Sequence, residues 1–140
     1  MFFSRKKQPP IRSLIGEGMV VRGELRFVEG LRVDGEVQGD VIATGEGRSI
    51  LVISENARVH GKVLASHVII NGEVKGPVHS DELLELQPRA RVTGDVRYEI
   101  LEMHPGALVD GELKPFKSAE RPALKLAASN DAKLTASNDV

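Results

Sequence analysis

The sequence predicts an all-β fold: a parallel β-helix, triangular in section, of about six rungs, with disordered tails on either side. Three observations lead there. A Gly-polar-(Val/Leu) unit recurs at Gly23, Gly39, Gly61, Gly76, Gly94 and Gly111, at intervals of 16, 22, 15, 18 and 17 residues. A second apolar column, Leu51, Val68, Leu84 and Leu101, keeps nearly the same spacing, 17, 16 and 17. Composition agrees: four Phe, one Tyr and no Trp stand against 14 Gly. Such a balance suits narrow, β-branched strands and sharp corners better than a core built on large rings. A repeat of about 17 residues is half the length of a helical tetratricopeptide unit. It divides into three strands of roughly five or six residues each, with side chains alternating inward and outward. A β-sandwich also has many short strands, but it does not repeat one unit six times in register.

Taken in chain order, residues 1–12 form a basic tail, 13–116 the coil and 117–140 a second tail. The first rung is expected to hold Leu14, Ile15, Val20, Val21 and Leu25. The second is Gly30-Leu-Arg-Val-Asp-Gly-Glu-Val-Gln-Gly-Asp-Val41, echoed in the fourth by His67-Val-Ile-Ile-Asn-Gly-Glu-Val-Lys-Gly-Pro-Val78. Between the second and third, Thr44-Gly-Glu-Gly-Arg-Ser49 explains the long interval as a loop bulging from one turn. Asn56-Ala-Arg-Val-His-Gly-Lys-Val63, Arg89-Ala-Arg-Val-Thr-Gly-Asp-Val96 and Gly106-Ala-Leu-Val-Asp-Gly-Glu-Leu113 carry the third, fifth and sixth. Pro77, lacking an N–H, belongs at a corner. Lys114-Pro-Phe116 breaks the pattern. The remainder ends in a tandem Lys-Leu-Ala-Ala-Ser-Asn-Asp and Lys-Leu-Thr-Ala-Ser-Asn-Asp, small, polar and repetitive, as disordered tails are. Residues 119–128 are the stretch where a short capping helix is the alternative.

The ends of the coil carry the functional expectation. Each rung contacts only its neighbours, so the terminal rungs need polar caps for solubility, and open strand edges recruit other chains. Pro9-Pro10 rules out a helix across the N-terminal side. Rung one, and Leu101, Met103, Leu108, Val109, Leu113 and Phe116 at the other end, are therefore the expected polymerisation interface. A stacking contact that does not close makes a filament.

Ser13-Leu-Ile-Gly-Glu-Gly18, Leu31-Arg-Val-Asp-Gly-Glu-Val-Gln-Gly-Asp40 and Leu51-Val-Ile with Ala57-Arg-Val-His-Gly61 resemble the bactofilins, over residues 13–113. The resemblance implies a bacterial cytoskeletal protein with a right-handed β-helix between disordered tails, a hand that also fits the general preference of β-crossovers. It implies nucleotide-free, non-polar filaments that help shape cells or position partners such as cell-wall or polarity proteins. Polymer contacts in that family lie on the terminal rungs, often with a Phe near the last turn; at that position this chain has Val109 rather than Phe, with Phe116 slightly later. The start, Met1-Phe2-Phe3-Ser4-Arg5-Lys6-Lys7, is similar to the family's membrane-targeting peptide. Its physics points the same way: Phe2 and Phe3 offer about 1.5–3 kcal/mol each if fully buried, and Arg5, Lys6 and Lys7 about 1 kcal/mol each near an anionic leaflet. Neither they nor Arg12 has an acidic residue beside it in the first twelve positions.

Other chemistry is set aside by what is missing. Net charge is −1, so no direct nucleic-acid partner is expected. There is no Cys, and His60, His67, His79 and His104 fall at no two equivalent rung positions, so no metal is expected. The loop around Gly45 and Gly47 lacks the Lys-Ser/Thr of a phosphate-binding loop. Glu24, Asp40, Asp95 and Glu112 alternate with Lys62 and Pro77 at the corners as a solvated face, not a carboxylate pair. No cofactor and no enzymatic activity are expected. The longest apolar run, Ile50-Leu-Val-Ile53, is far short of the ~20 residues that span a bilayer, and no signal-peptide core follows Phe3. A cytoplasmic protein, peripheral at the inner face of the membrane, is expected. The alternative reading is a non-polymerising, membrane-tethered adaptor that binds partners on its flat faces.

Overall fold

The computed structural model describes residues 8–116 and, among them, sixteen strands and no helix. Every strand pairing is parallel. The chain winds through six rungs. The first is β1 (Ser13–Ile15), β2 (Val20–Arg22) and β3 (Leu25–Phe27), and the second β4 (Gly30–Val33), β5 (Glu36–Gln38) and β6 (Val41–Ala43). The third is β7 (Ile50–Ile53), β8 (Arg58–His60) and the start of β9 (Val63–Ile70). The rest of β9, β10 (Glu73–Lys75) and the start of β11 (Val78–Leu86) make the fourth. The remainder of β11, β12 (Arg91–Thr93) and β13 (Val96–Tyr98) make the fifth, and β14 (Ile100–Met103), β15 (Leu108–Asp110) and β16 (Leu113–Pro115) the sixth. Three faces result. Face 1 begins at β1, face 2 at β2 and face 3 at β3.

The strands are shorter than expected. Most have three or four residues, because the corners consume the rest; β9 with 8 and β11 with 9 instead run unbroken from face 3 into face 1. A register shift between Ser80 and Leu83 marks the bend in β11.

Alternation fills the coil with ladders of like residues. Leu31, Leu51, Val68 and Leu84 stack in one inward column, and Val33, Ile53, Ile70 and Leu86 in the next. Val37, Val59, Val74 and Val92 line face 2; Val41, Val63, Val78 and Val96 line face 3. All of these are 0–2% exposed, and each full burial is worth about 1.5–3 kcal/mol. The corner between faces 1 and 2 closes with a local turn in rungs one, three, five and six, as in Ala57 N–H to Ser54 O (3.0 Å) and Ala90 N–H to Gln87 O (2.9 Å). In rungs two and four the Asp34 and Asn71 N–H groups donate to Ile15 O and Ile53 O of the rung before. The corner between faces 2 and 3 is the glycine column found in the sequence. Gly39 there has φ 152°, and a Cβ on it would sit 2.1 Å from the carbonyl oxygen of Gly23 in the rung below. Only glycine lets successive corners stack so closely. Residues 44–49 do form the expected loop. It is held by the Thr44 N–H on Phe27 O (2.7 Å) and by Arg48, whose Nη2 lies 2.6 Å from Glu82 Oε1.

Candidate functional site

The two ends of the coil differ from its middle in the same columns. Among the described residues, β1, β2 and β3 pair only with the second rung, and β14, β15 and β16 only with the fifth. Each terminal strand therefore presents one unpaired edge. On the last rung Leu101 and Val109 are half-buried, and Met103 and Leu113 are 44% and 43% exposed, where the same columns inside the coil are sealed. On the first rung Val21 and Leu25 are half-buried, while Ile15 and Phe27 are buried at 9% and 8%.

Seven of the residues expected at the interface, Ile15, Val21, Leu25, Leu101, Met103, Val109 and Leu113, occupy inward columns of the end rungs. Three do not. Leu14 is in register with Arg32, Val20 with Glu36 and Leu108 with Arg91, so these three point outward from the wall. They stay exposed at 57%, 52% and 62% beside the open ends. Ser13, in register with Leu31, takes the inward place beside Ile15. Phe116 also lies elsewhere than at the open end. Its N–H bonds Tyr98 O at 2.8 Å, and its ring lies back over the outer wall of face 3, 5.0 Å from the His79 ring and under the Arg97 guanidinium. Phe27, two residues beyond Leu25 on the same strand, is an inward end residue outside the expected set; the alternation from Leu25 is the signal for it.

The outer faces carry most of the polar chemistry. Glu73 holds His60 at 2.9 Å, and that contact keeps its carboxyl below the usual carboxylate range. Lys114 reaches Asp95 at 3.3 Å, and the Glu112 N–H and then Lys114 depress the Asp95 pKa. His67 lies in the outward column between Ile50 and Leu83, yet it is 7% exposed and neither ring nitrogen has a hydrogen-bond partner. Burial pushes its pKa down, opposed by Glu85 and helped by Arg48. Beside it, Ser66 N–H donates to Ser49 Oγ (2.9 Å) and Ser80 Oγ to Ser66 O (2.7 Å), tying the corner across three rungs. Among the described residues, Glu85, Glu102 and His104 bring three possible cation ligands within 4.8 Å of one another at the surface. His104 enters this group from beyond the end of its strand, which equivalent rung positions alone did not reveal. Arg12, unaccompanied in the sequence, pairs with Glu29 at 2.5 Å. Met1, Phe2, Phe3, Arg5, Lys6 and Lys7, and the tail 117–140, lie outside the described residues. No helix among the described residues is long and apolar enough to cross a membrane.

Comparison with known proteins bears on these ends. Residues 13–114 match the family described as Bactofilin, polymer-forming cytoskeletal. The chain is similar to Bactofilin BacP of Myxococcus xanthus, 29% identical over 118 residues, which cover 80% of this chain and 48% of that one. It is also similar to Bactofilin BacO of the same organism, 25% identical over 111 residues, covering 79% and 85%. The chain thus spans about half the length of BacP and most of BacO. Among solved structures it is similar to the cryo-EM reconstruction of Thermus thermophilus bactofilin double helical filaments. That likeness has a TM-score of 0.68 at 30% identity and covers 74% of this chain and 99% of that one.

Proposed function

The chain belongs to the bactofilin family of polymer-forming cytoskeletal proteins, and from that premise we propose that it is the subunit of a nucleotide-free filament. Subunits join end to end through the terminal rungs, and the filament is non-polar and double-stranded. The double helical filaments of the Thermus bactofilin support the two-stranded form. The observation that carries the reading is the contrast within single columns: Val59 and Val74 are fully buried, while Val109 at the end of the same ladder is half-buried, with no further strand beyond it among the described residues. A second copy placed there extends all three faces at once and removes apolar surface from water, at about 25 cal/mol per Å². Closing the ladder needs no bound nucleotide and no catalysis, and the protein acts as a scaffold for cell shape or for positioning other proteins. Residues 1–7 tether it to the inner face of the cytoplasmic membrane, and its partners beyond itself and the membrane are cell-wall or polarity proteins.

Electron microscopy of the purified full-length chain, with no nucleotide added, tests the assembly. Filaments are expected for the native sequence and folded, discrete particles for Val109→Arg and Leu113→Arg. Filaments in both variants would refute end stacking at this rung. Discrete particles from the native chain would favour an adaptor that binds partners on its flat faces.

A further inference from the structure

A double-stranded filament needs a side surface as well as two ends, and the three faces are not equivalent. On face 1 one outward column reads, rung by rung, Leu14, Arg32, Val52, Ile69, Glu85 and Glu102. Its centre is apolar, its positive charge lies toward one end and its negative charges toward the other. In the adjacent outward column Ile50 and His67 are buried, and Leu83 and Ile100 add apolar surface, the last 59% exposed.

A two-fold axis through the wall between the third and fourth rungs would set Val52 of one copy against Ile69 of the other. It would also bring Arg32 opposite Glu85. These two lie three rungs apart, about 14 Å at the usual strand spacing; their side chains are 50% and 20% exposed, and within the chain Arg32 lies 2.9 Å from Asp34 and Glu85 3.4 Å from His104. An isologous contact needs this kind of self-complementarity, and an apolar centre with a charged rim is the usual anatomy of an interface.

The other faces fit less well. On face 2 the outward column Glu36, Arg58, Glu73 and Arg91 also sets opposite charges across such a two-fold, but its centre is charged, and its apolar residues, Val20 and Leu108, lie at the two ends. On face 3 the column begins with Arg26 and ends with Arg97 and Lys114. A two-fold there opposes like charges, and Phe116 already covers His79. A lipid surface suits face 1 poorly, because Glu85 and Glu102 border the apolar centre and anionic headgroups repel them.

We propose that face 1, centred on Val52 and Ile69 with Arg32 opposite Glu85, is the lateral interface by which a second copy of this chain in the neighbouring strand pairs with it. The proposal rests on the polymer reading above and specifies its side contact.

Charge exchange tests it in the full-length protein by counting strands per filament in electron micrographs. Native filaments are expected to be two-stranded. Arg32→Glu, which opposes acid to acid, and Glu85→Arg, which opposes base to base, should each give single strands of unchanged subunit fold by thermal melting. The double variant R32E/E85R should return to two strands. Two-stranded filaments in both single variants, or no recovery in the double variant, would overturn the lateral assignment. Native filaments of one strand would overturn it too and leave end-to-end assembly standing, whereas a native chain without filaments would overturn the polymer reading itself. Weaker binding to phosphatidylglycerol vesicles by Arg32→Glu together with stronger binding by Glu85→Arg, at unchanged strand count, would assign face 1 to lipid and overturn the proposal.

Discussion

Among single residues, the corner glycines and one buried imidazole are the points where a single atom matters. Gly39 and Gly47 make a controlled pair. A methyl group on Gly39 meets the Gly23 carbonyl at 2.1 Å and must adopt φ 152°, while one on Gly47 meets nothing within 4 Å. Gly39→Ala should cost at least the ~1–3 kcal/mol typical of one strained residue, and Gly47→Ala close to nothing; urea melts of the two variants would measure the difference. His67 ties stability to pH. Its pKa is lowered in the fold, chiefly by burial, so the unfolded chain binds the proton more readily, with a pKa near 6.5. Stability should therefore be full above pH ~6.5 and fall as pH drops from there toward the lowered native value. His79, lowered by burial and then by Arg97, adds a slope of the same sign. His67→Leu should flatten the dependence of melting temperature on pH without abolishing it, and raise stability at low pH most.

Within a strand ladder, position along the column decides what the same substitution does. Val21 and Val59 lie in one ladder on face 2, linked through Val37. Val59→Arg buries an unpaired charge among sealed neighbours and should unfold the coil, because that cost exceeds the few kcal/mol by which domains are stable. Val21→Arg lets the guanidinium reach out of the open end. That variant should keep its far-ultraviolet circular dichroism and lose assembly; if it unfolded like Val59→Arg, the first rung would not be the free end of the ladder. The loop 44–49 and the bend in β11 form a second device of this size. The ion pair of Arg48 with Glu82 joins positions 34 residues apart, clasping the corner over Ser66 and His67.

For the molecule as a whole, weak local binding becomes strong through repetition. A tail with Phe2, Phe3, Arg5, Lys6 and Lys7 on one subunit gains a few kcal/mol at an anionic surface and loses part of it to ordering. On the proposed tether, a filament displaying many such tails binds by avidity, typically about 10²–10⁴-fold beyond one contact. Co-sedimentation with phosphatidylglycerol vesicles should therefore be strong for native filaments and weak for the Val109→Arg subunit, although both carry the same tail. It should be lost when residues 2–7 are deleted from assembled protein. Equal binding by filament and subunit would count against the avidity mechanism.

How much of this the chain discloses unaided follows from where the information lies. The period of about 17 residues, the corner glycines, the Leu51 to Leu101 column and the loop at 44–49 are all legible, because a solenoid writes its stacking into sequence as local repetition. Period alone does not set parity at the ends: Leu14, Val20 and Leu108 read as end residues and point outward, since a single-residue shift in register moves a side chain to the opposite face. Nor does it reveal the unbroken β9 and β11, the return of Phe116 onto His79 and Arg97, or the grouping of Glu85, Glu102 and His104. That six like rungs stack is written in local repetition and can be read from the residues in order. Which side chains meet across those rungs is settled only in the folded coil, because each meeting depends on register between segments far apart in the chain.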